Sequence, residues 1–284
     1  MNTIHLPQGE TLPSIGLGTW RMGESSGSRL AEVAAIRLAV EIGYRVFDTA
    51  EMYGEGRAEQ VLGQALDDAL RSHAVRREEL FIVSKVYPHN ASRAGTVAAC
   101  VRSLKRLALD HIDLYLLHWP GTFALGETVA GFEALQAAGR IRHWGVSNFD
   151  LEAMQSLVAT PGGERCASNQ VYYSLSERGP EFDLLPWQRE RDMPTMAYSP
   201  VDQGVLAHDK SLARIAEHVG ATASQLALAR LMAEPGVMVI PKAVRESHLR
   251  ENFGASVLAL APADIAAIDQ VFPAPKGPSA LAMR

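Results

Sequence analysis

The sequence predicts a single α/β domain, a (β/α)8 TIM barrel with an N-terminal β-hairpin cap, on three observations. Short apolar runs alternate with longer segments of helical period from Ile15 onward, which is the pattern of parallel strands joined by crossover helices. Polar residues with useful chemistry stand at or just beyond the ends of successive runs: Asp48 and Tyr53, then Lys85, then His118. Reactive side chains of such barrels gather at the C-terminal ends of strands, where different strands aim at one point. Finally, the 284 residues suit one unit, since barrels of this kind run to about 250 residues, and no linker, repeat or low-complexity tract divides residues 1–284.

Taken in order, residues 5–13 read as a short hairpin about a Gln8-Gly9 turn, placed to cap the bottom of the barrel. Eight strands are expected at 15–18, 46–48, 81–85, 113–118, 143–147, 167–170, 195–198 and 237–240. The first crossover helix, 29–42, carries Leu30, Val33, Ala34, Ile36, Leu38 and Val40 at helical spacing and stops at Gly43, a natural C-terminal cap. Segments 59–70, 96–107, 129–138, 151–157, 182–191, 223–233 and 247–253 supply the remaining crossovers, with 211–218 and 263–271 as additional helices. The Pro- and Gly-rich tail from Pro273 to Pro278 cannot continue a helix and reads as an arm.

Composition removes several function classes. Lys and Arg number 27 against 32 Asp and Glu, a net charge of −5, so no basic field exists to hold nucleic acid. The N-terminus lacks a basic segment followed by an apolar one, and no apolar run approaches the roughly 20 residues of a membrane helix. The two cysteines, Cys100 and Cys166, show no metal-ligand spacing and fit a reducing cytoplasm. No metal site is expected: His111 and Asp113 share a strand with His118, but alternation along that strand keeps His111 and His118 from converging. A soluble, monomeric, cytoplasmic enzyme is the expectation.

A Tyr, a Lys, an Asp and a His brought together are what carbonyl reduction needs. The phenol can give a proton, the ammonium can ease its departure, the carboxylate can hold the ammonium, and the imidazole can hold the carbonyl. The words around these residues are Gly43-Tyr44-Arg45-Val46-Phe47-Asp48-Thr49-Ala50-Glu51-Met52-Tyr53-Gly54, Val83-Ser84-Lys85-Val86, Leu116-Leu117-His118-Trp119-Pro120 and Gly145-Val146-Ser147-Asn148-Phe149. In these words, and in their order, the chain closely resembles the aldo-keto reductase family from Gly16 to Asn252.

That resemblance implies an NADPH-dependent reductase with Tyr53 as general acid, Lys85 and Asp48 as its supporting pair, and His118 orienting the substrate oxygen. Gly16-Leu17-Gly18-Thr19-Trp20-Arg21 lacks the third glycine of a Rossmann fingerprint, and the resemblance implies instead an extended cofactor across the barrel mouth. Gly18, Thr19, Trp20 and Asp48 would be among the residues that bind it. Ser147, Asn148 and Gln170 would bind the carboxamide of its nicotinamide and Tyr198 would stack on that ring. Ser199, Pro200, Val201 and Gly204 would cover the pyrophosphate, with Val201 where the family often has Leu. Lys242 would meet the 2′-phosphate, and Glu251 and Asn252 would face the adenine. Ala243 stands where Ser or Thr is usual and His248 where Arg is usual, which weakens the preference for NADPH because imidazole is mostly neutral at pH 7.

Trp20, Tyr87 and Trp119, with Met52 and Phe123 nearby, would form an apolar cup around Tyr53 and His118. Small aldehydes and α-dicarbonyls such as methylglyoxal suit that cup. A sugar or keto-acid reductase of diketogluconate type is the nearest alternative. An NADPH-binding regulatory barrel is another.

Overall fold

The computed structural model describes residues 2–284. Strands β1 (Thr3–His5) and β2 (Thr11–Pro13) form an antiparallel hairpin with Ile4 opposite Leu12. Eight parallel strands follow in sequential order: β3 (Leu17–Gly18), β4 (Val46–Asp48), β5 (Phe81–Val86), β6 (Ile112–Leu117), β7 (Ile141–Ser147), β8 (Asn169–Tyr172), β9 (Thr195–Tyr198) and β10 (Val237–Val239). The ring closes where Ile15 bridges Val239, Gly16 N donates to Val239 O at 2.9 Å and Gly18 N donates to Pro241 O at 3.1 Å. Glycine is required at this seam, because a Cβ on Gly18 would lie 2.9 Å from Ile240 O.

The helices α1 (Arg29–Ile42), α2 (Arg57–Arg71), α3 (Arg93–Leu107), α4 (Leu125–Ala137), α5 (Leu151–Val158) and α6 (Leu184–Arg189) connect successive strands up to β9. Both α7 (Lys210–His218) and α8 (Ala223–Met232) lie between β9 and β10, and α9 (Glu246–Gly254) and α10 (Pro262–Val271) follow β10. Gly43 caps α1 with φ 120°, where its amide reaches Ala39 O and Val40 O.

Strand alternation sorts the core into two layers. Val46, Phe81, Val83, Leu114, Leu116, Met196 and Met238 point inward and pack with Ile4, Leu6 and Leu12 of the hairpin, which plugs the barrel floor. Phe47, Ile82, Val86, Tyr115 and Leu117 point outward into the layer shared with the helices. This register positions the site: Asp48 follows Val46, Lys85 follows Val83, His118 follows Leu116 and Tyr198 follows Met196, each two residues further along the inward face.

The boundaries differ from the sequence reading in a few places. β3 is shorter than 15–18, Ile15 making only a single bridge. β8 lies two residues beyond 167–170, although Ala167 N still donates to Trp144 O at 2.8 Å, so the ladder begins before the regular strand does. α3 starts earlier than expected because Ser92 accepts from Gly95 N at 3.1 Å, a side-chain cap. α6 is shorter than 182–191, since a 3-10 turn at Gly179–Glu181 containing Pro180 precedes it. Arg77, in the turn before β5, donates to the buried Asp113 at 2.7 Å. Among the described residues no helix is long and apolar enough to cross a membrane.

Candidate active site

The four strand-end residues meet at the mouth of the barrel. Lys85 Nζ donates to both Asp48 oxygens at 2.7 and 2.8 Å, to Thr49 O at 2.9 Å and to Tyr53 Oη at 3.2 Å. The Tyr53 and His118 rings stand edge to face with centroids 5.7 Å apart. Asp48 and Lys85 come from β4 and β5, His118 follows β6, and Tyr53 opens a 3-10 turn after β4 whose Gly54 and Glu55 lie at positive φ. Surface clefts of about 330 Å³ beside Leu104 and Arg140 and of about 410 Å³ beside Asp183 and Leu281 lie elsewhere, and neither is lined by these four residues.

Burial governs the electrostatics. Lys85 is 0% and Asp48 2% exposed, so their charges answer each other in place of water. Burial lowers the Lys85 pKa, and the Asp48 carboxylate opposes that shift. Burial, reinforced by Asp48, raises the Tyr53 hydroxyl well above its ordinary value of 10. Lys85 Nζ lies within reach of Tyr53 Oη but is also bonded to both Asp48 oxygens, and burial of the phenol dominates the shift. Tyr53 therefore carries its proton at neutral pH. Burial and then the Lys85 charge hold the His118 imidazole well below 6.5, so it is neutral and carries one ring N–H. Its Nδ1 is buried without a hydrogen-bond partner among the described residues.

The remaining expected residues fall around this centre. Gln170 Nε2 donates to Asp48 Oδ1 at 2.8 Å, so Gln170 supports the ion pair directly. Asn148 Nδ2 donates to His118 O at 3.0 Å and to Ser147 Oγ at 3.1 Å, and Asn148 Oδ1 accepts from Tyr198 Oη at 2.9 Å. Ser147 Oγ donates to Gln170 O at 2.8 Å. Thr19 N and Oγ1 both donate to Asp48 O, at 2.9 and 3.0 Å, and Gly18 lies in the seam; these two act as scaffold for Asp48. Trp20 is half-buried under the Arg21 guanidinium, 4.3 Å from its ring centre. Tyr87 and Trp119 meet edge to face at 5.7 Å, and the Trp119 ring lies 4.8 Å from that of His118.

Beyond β9, Ser199, Asp202, Gln203 and Gly204 all have positive φ, while Pro200 is buried and Val201 half-buried. A run of left-handed residues is strained and is commonly held at a ligand site. Around the start of α9, Lys242 is exposed and Ala243 buried, and Arg245 Nη2 lies 2.8 Å from His248 Nε2. A guanidinium only donates, so in this contact the imidazole nitrogen is the acceptor. Glu251 accepts from Thr222 Oγ1, and Asn252 is buried.

Sequence reasoning missed three contributors. Glu51, in the word that contains Tyr53, is 7% exposed and accepts from Tyr87 N at 2.8 Å and Asn90 Nδ2 at 3.0 Å, tying the loops after β4 and β5 together. Its burial was not legible, because a Glu in a loop ordinarily faces water. Asp202 and Arg284 join the site through contacts between distant parts of the chain, and no local pattern signals them.

Residues 14–272 match the Aldo/keto reductase family. Methylglyoxal reductase YeaE of Escherichia coli (strain K12) is 47% identical over 278 residues, 96% of this chain and 95% of its own length. The glyoxal reductase of Bacillus subtilis (strain 168) is 34% identical over 251 residues, 88% of this chain and 86% of its own length. An aldo/keto reductase from Klebsiella pneumoniae, solved in complex with NADP and acetate, has a TM-score of 0.93 and 44% identity, covering 100% of this chain and 99% of that one. A match across nearly the whole barrel, coming on top of an Asp, Tyr, Lys and His set already assembled at its mouth, means that the chain belongs to the aldo-keto reductase family.

Proposed function

We propose that this protein is an NADPH-dependent oxidoreductase that reduces small aldehydes and α-dicarbonyls of the methylglyoxal type to alcohols. The observation that carries this reading is the 3.2 Å contact of Tyr53 Oη with a lysine clamped by Asp48, beside a neutral His118. The residues present fit a nicotinamide dinucleotide. A half-buried Tyr198 ring offers a flat face, Asn148, Gln170 and Ser147 offer polar atoms beside it, and Ser199, Asp202, Gln203 and Gly204 put left-handed backbone into the loop that follows. Lys242, Arg245 and His248 gather around the start of α9, where the helix dipole also favours an anion.

When bound, the reduced nicotinamide supplies the hydride. Tyr53 holds the proton at Oη and gives it to the carbonyl oxygen as negative charge develops there. Lys85 stands ready to pair with the phenolate that results, and Asp48 and Gln170 keep the lysine in place. His118 donates a ring N–H to the same oxygen, fixing which lone pair meets Tyr53. The Tyr87 and Trp119 faces exclude water and leave room for a compact substrate. Relatives named methylglyoxal and glyoxal reductases support that substrate class.

The test is NADPH oxidation, followed by absorbance, against methylglyoxal and a panel of other carbonyls. Tyr53→Phe is expected to bind NADPH normally and to lose about 10²–10⁴-fold in turnover, the usual worth of a general acid. Equal turnover by wild type and variant on an unactivated aldehyde would remove Tyr53 from the reaction.

A further inference from the structure

The tail does not hang free of the barrel. As the chain leaves α10, Phe272 O accepts from Arg178 Nη1, and the same buried guanidinium holds Glu181 and Asp269, each at 2.7 Å. Further on, Ser279 packs so close to Gly179 that a Cβ there would lie 2.5 Å from its Oγ, and Leu281 packs against the outer core. The tail then reaches the loop after β9. Arg284 N donates to Tyr198 Oη at 3.2 Å, Arg284 Nη2 lies 3.0 Å from Asp202 Oδ1, and its guanidinium carbon stands 5.2 Å from the Tyr172 ring centre.

Asp202 makes this contact consequential. Its residue is 5% exposed, its φ is 48°, and its other partner is the Tyr172 hydroxyl, which donates at 2.7 Å. A phenol cannot neutralise a carboxylate. Left with that partner alone, Asp202 would present an uncompensated negative charge inside the 199–204 loop, a costly state in itself and a repulsive one for any anion laid on that loop. Arg284 cancels the charge. Its backbone amide also anchors a chain of hydrogen bonds that ends at the main chain of His118, because Tyr198 Oη donates to Asn148 Oδ1 at 2.9 Å and Asn148 Nδ2 donates to His118 O at 3.0 Å.

We propose that Arg284 is a positioning residue for the nucleotide: its guanidinium neutralises Asp202, while its backbone amide holds Tyr198, so that a pyrophosphate can be held on the 199–204 loop without repulsion. This rests on the proposed function, which gives that loop to the cofactor. The tail thereby becomes a strap on the cofactor side of the mouth. Because the pyrophosphate is common to NADPH and NADH, Arg284 acts on both alike, unlike the cations beside α9.

Dissociation constants for NADPH and NADH, measured by quenching of intrinsic fluorescence, test this with wild type, Arg284→Ala, Arg284→Lys and the double variant Arg284→Ala with Asp202→Asn. Arg284→Ala is expected to weaken both nucleotides by the same factor, up to about fivefold, the scale of a partly exposed ion pair. That loss shrinks as salt is added, because screening weakens the repulsion. Arg284→Lys recovers part of it, and the double variant returns toward wild type because the carboxylate is gone. Unfolding midpoints of the nucleotide-free proteins, measured in parallel, separate a folding defect from a binding defect. An unchanged or tighter affinity in Arg284→Ala, or a double variant as weak as the single one, overturns the inference. Wild type that binds neither nucleotide removes the functional reading itself, whereas wild type that binds both, with Arg284→Ala unaffected, removes only the role of Arg284.

Discussion

A buried lysine and a buried carboxylate face each other at 2.7 Å. Lys85 and Asp48 are both removed from water, and Asp48 receives a further bond from Gln170 Nε2 at 2.8 Å. Lys85→Met is therefore expected to cost about 3–5 kcal/mol of stability, since it strands a buried carboxylate. Combining it with Asp48→Asn should recover much of that loss, because an amide needs no counter-charge. Activity should not return in the double variant, because Tyr53 still lacks the cation that meets its phenolate. Urea unfolding and turnover measured on the same samples check both halves. Equal stability of the single and double variants would mean that the pair is not electrostatically coupled. These two residues were legible in the sequence because each ends an apolar strand run, and period-2 alternation sends both to the inward face.

At the scale of elements, the weakest-looking strand closes the barrel. β3 has only two residues, yet its neighbours carry the seam to β10, and the seam depends on Gly18. Gly18→Ala places a methyl 2.9 Å from the rigid Ile240 carbonyl and is expected to cost about 1–3 kcal/mol, whereas Gly277→Ala meets nothing within 4 Å and should be neutral. Thermal unfolding of the two variants side by side decides it. The start of α9 supports a second prediction. The sequence reading gave the 2′-phosphate to Lys242, with His248 standing where an Arg is usual, and the Arg245 guanidinium faces His248 Nε2 at 2.8 Å, which adds a second fixed charge beside it. Arg245→Ala is expected to weaken NADPH by roughly tenfold, the worth of one charge-assisted hydrogen bond, and to leave NADH almost unchanged. An NADPH-to-NADH affinity ratio equal to wild type would assign the phosphate to Lys242 alone.

Across the whole molecule, what was legible follows the range of the interactions. Strands β4 and β9 and helix α1 match the sequence reading end for end, since apolar period, Gly43 and strand-end polar residues are all local signals. The tail could be read only as an arm, because its contact with Tyr198 joins residues 86 positions apart and no local pattern encodes it. The same assembly makes stability depend on pH in a direction that can be derived. Burial and the Lys85 ammonium hold His118 neutral in the folded state, well below its ordinary 6.5, whereas the unfolded chain takes up a proton there near that ordinary value. As pH falls through about 6.5, unfolding therefore binds one proton at this residue, and stability drops by about 1.4 kcal/mol per pH unit until the folded imidazole itself titrates. Above that range His118 contributes no pH dependence. His118→Gln cannot titrate, so the slope of unfolding free energy against pH, measured with urea from about pH 8 to about pH 5, should be smaller than wild type by one proton. If the two proteins instead run parallel through that window, His118 takes up its proton in the folded state near its ordinary pKa, and burial beside Lys85 does not hold it neutral below about pH 6.5.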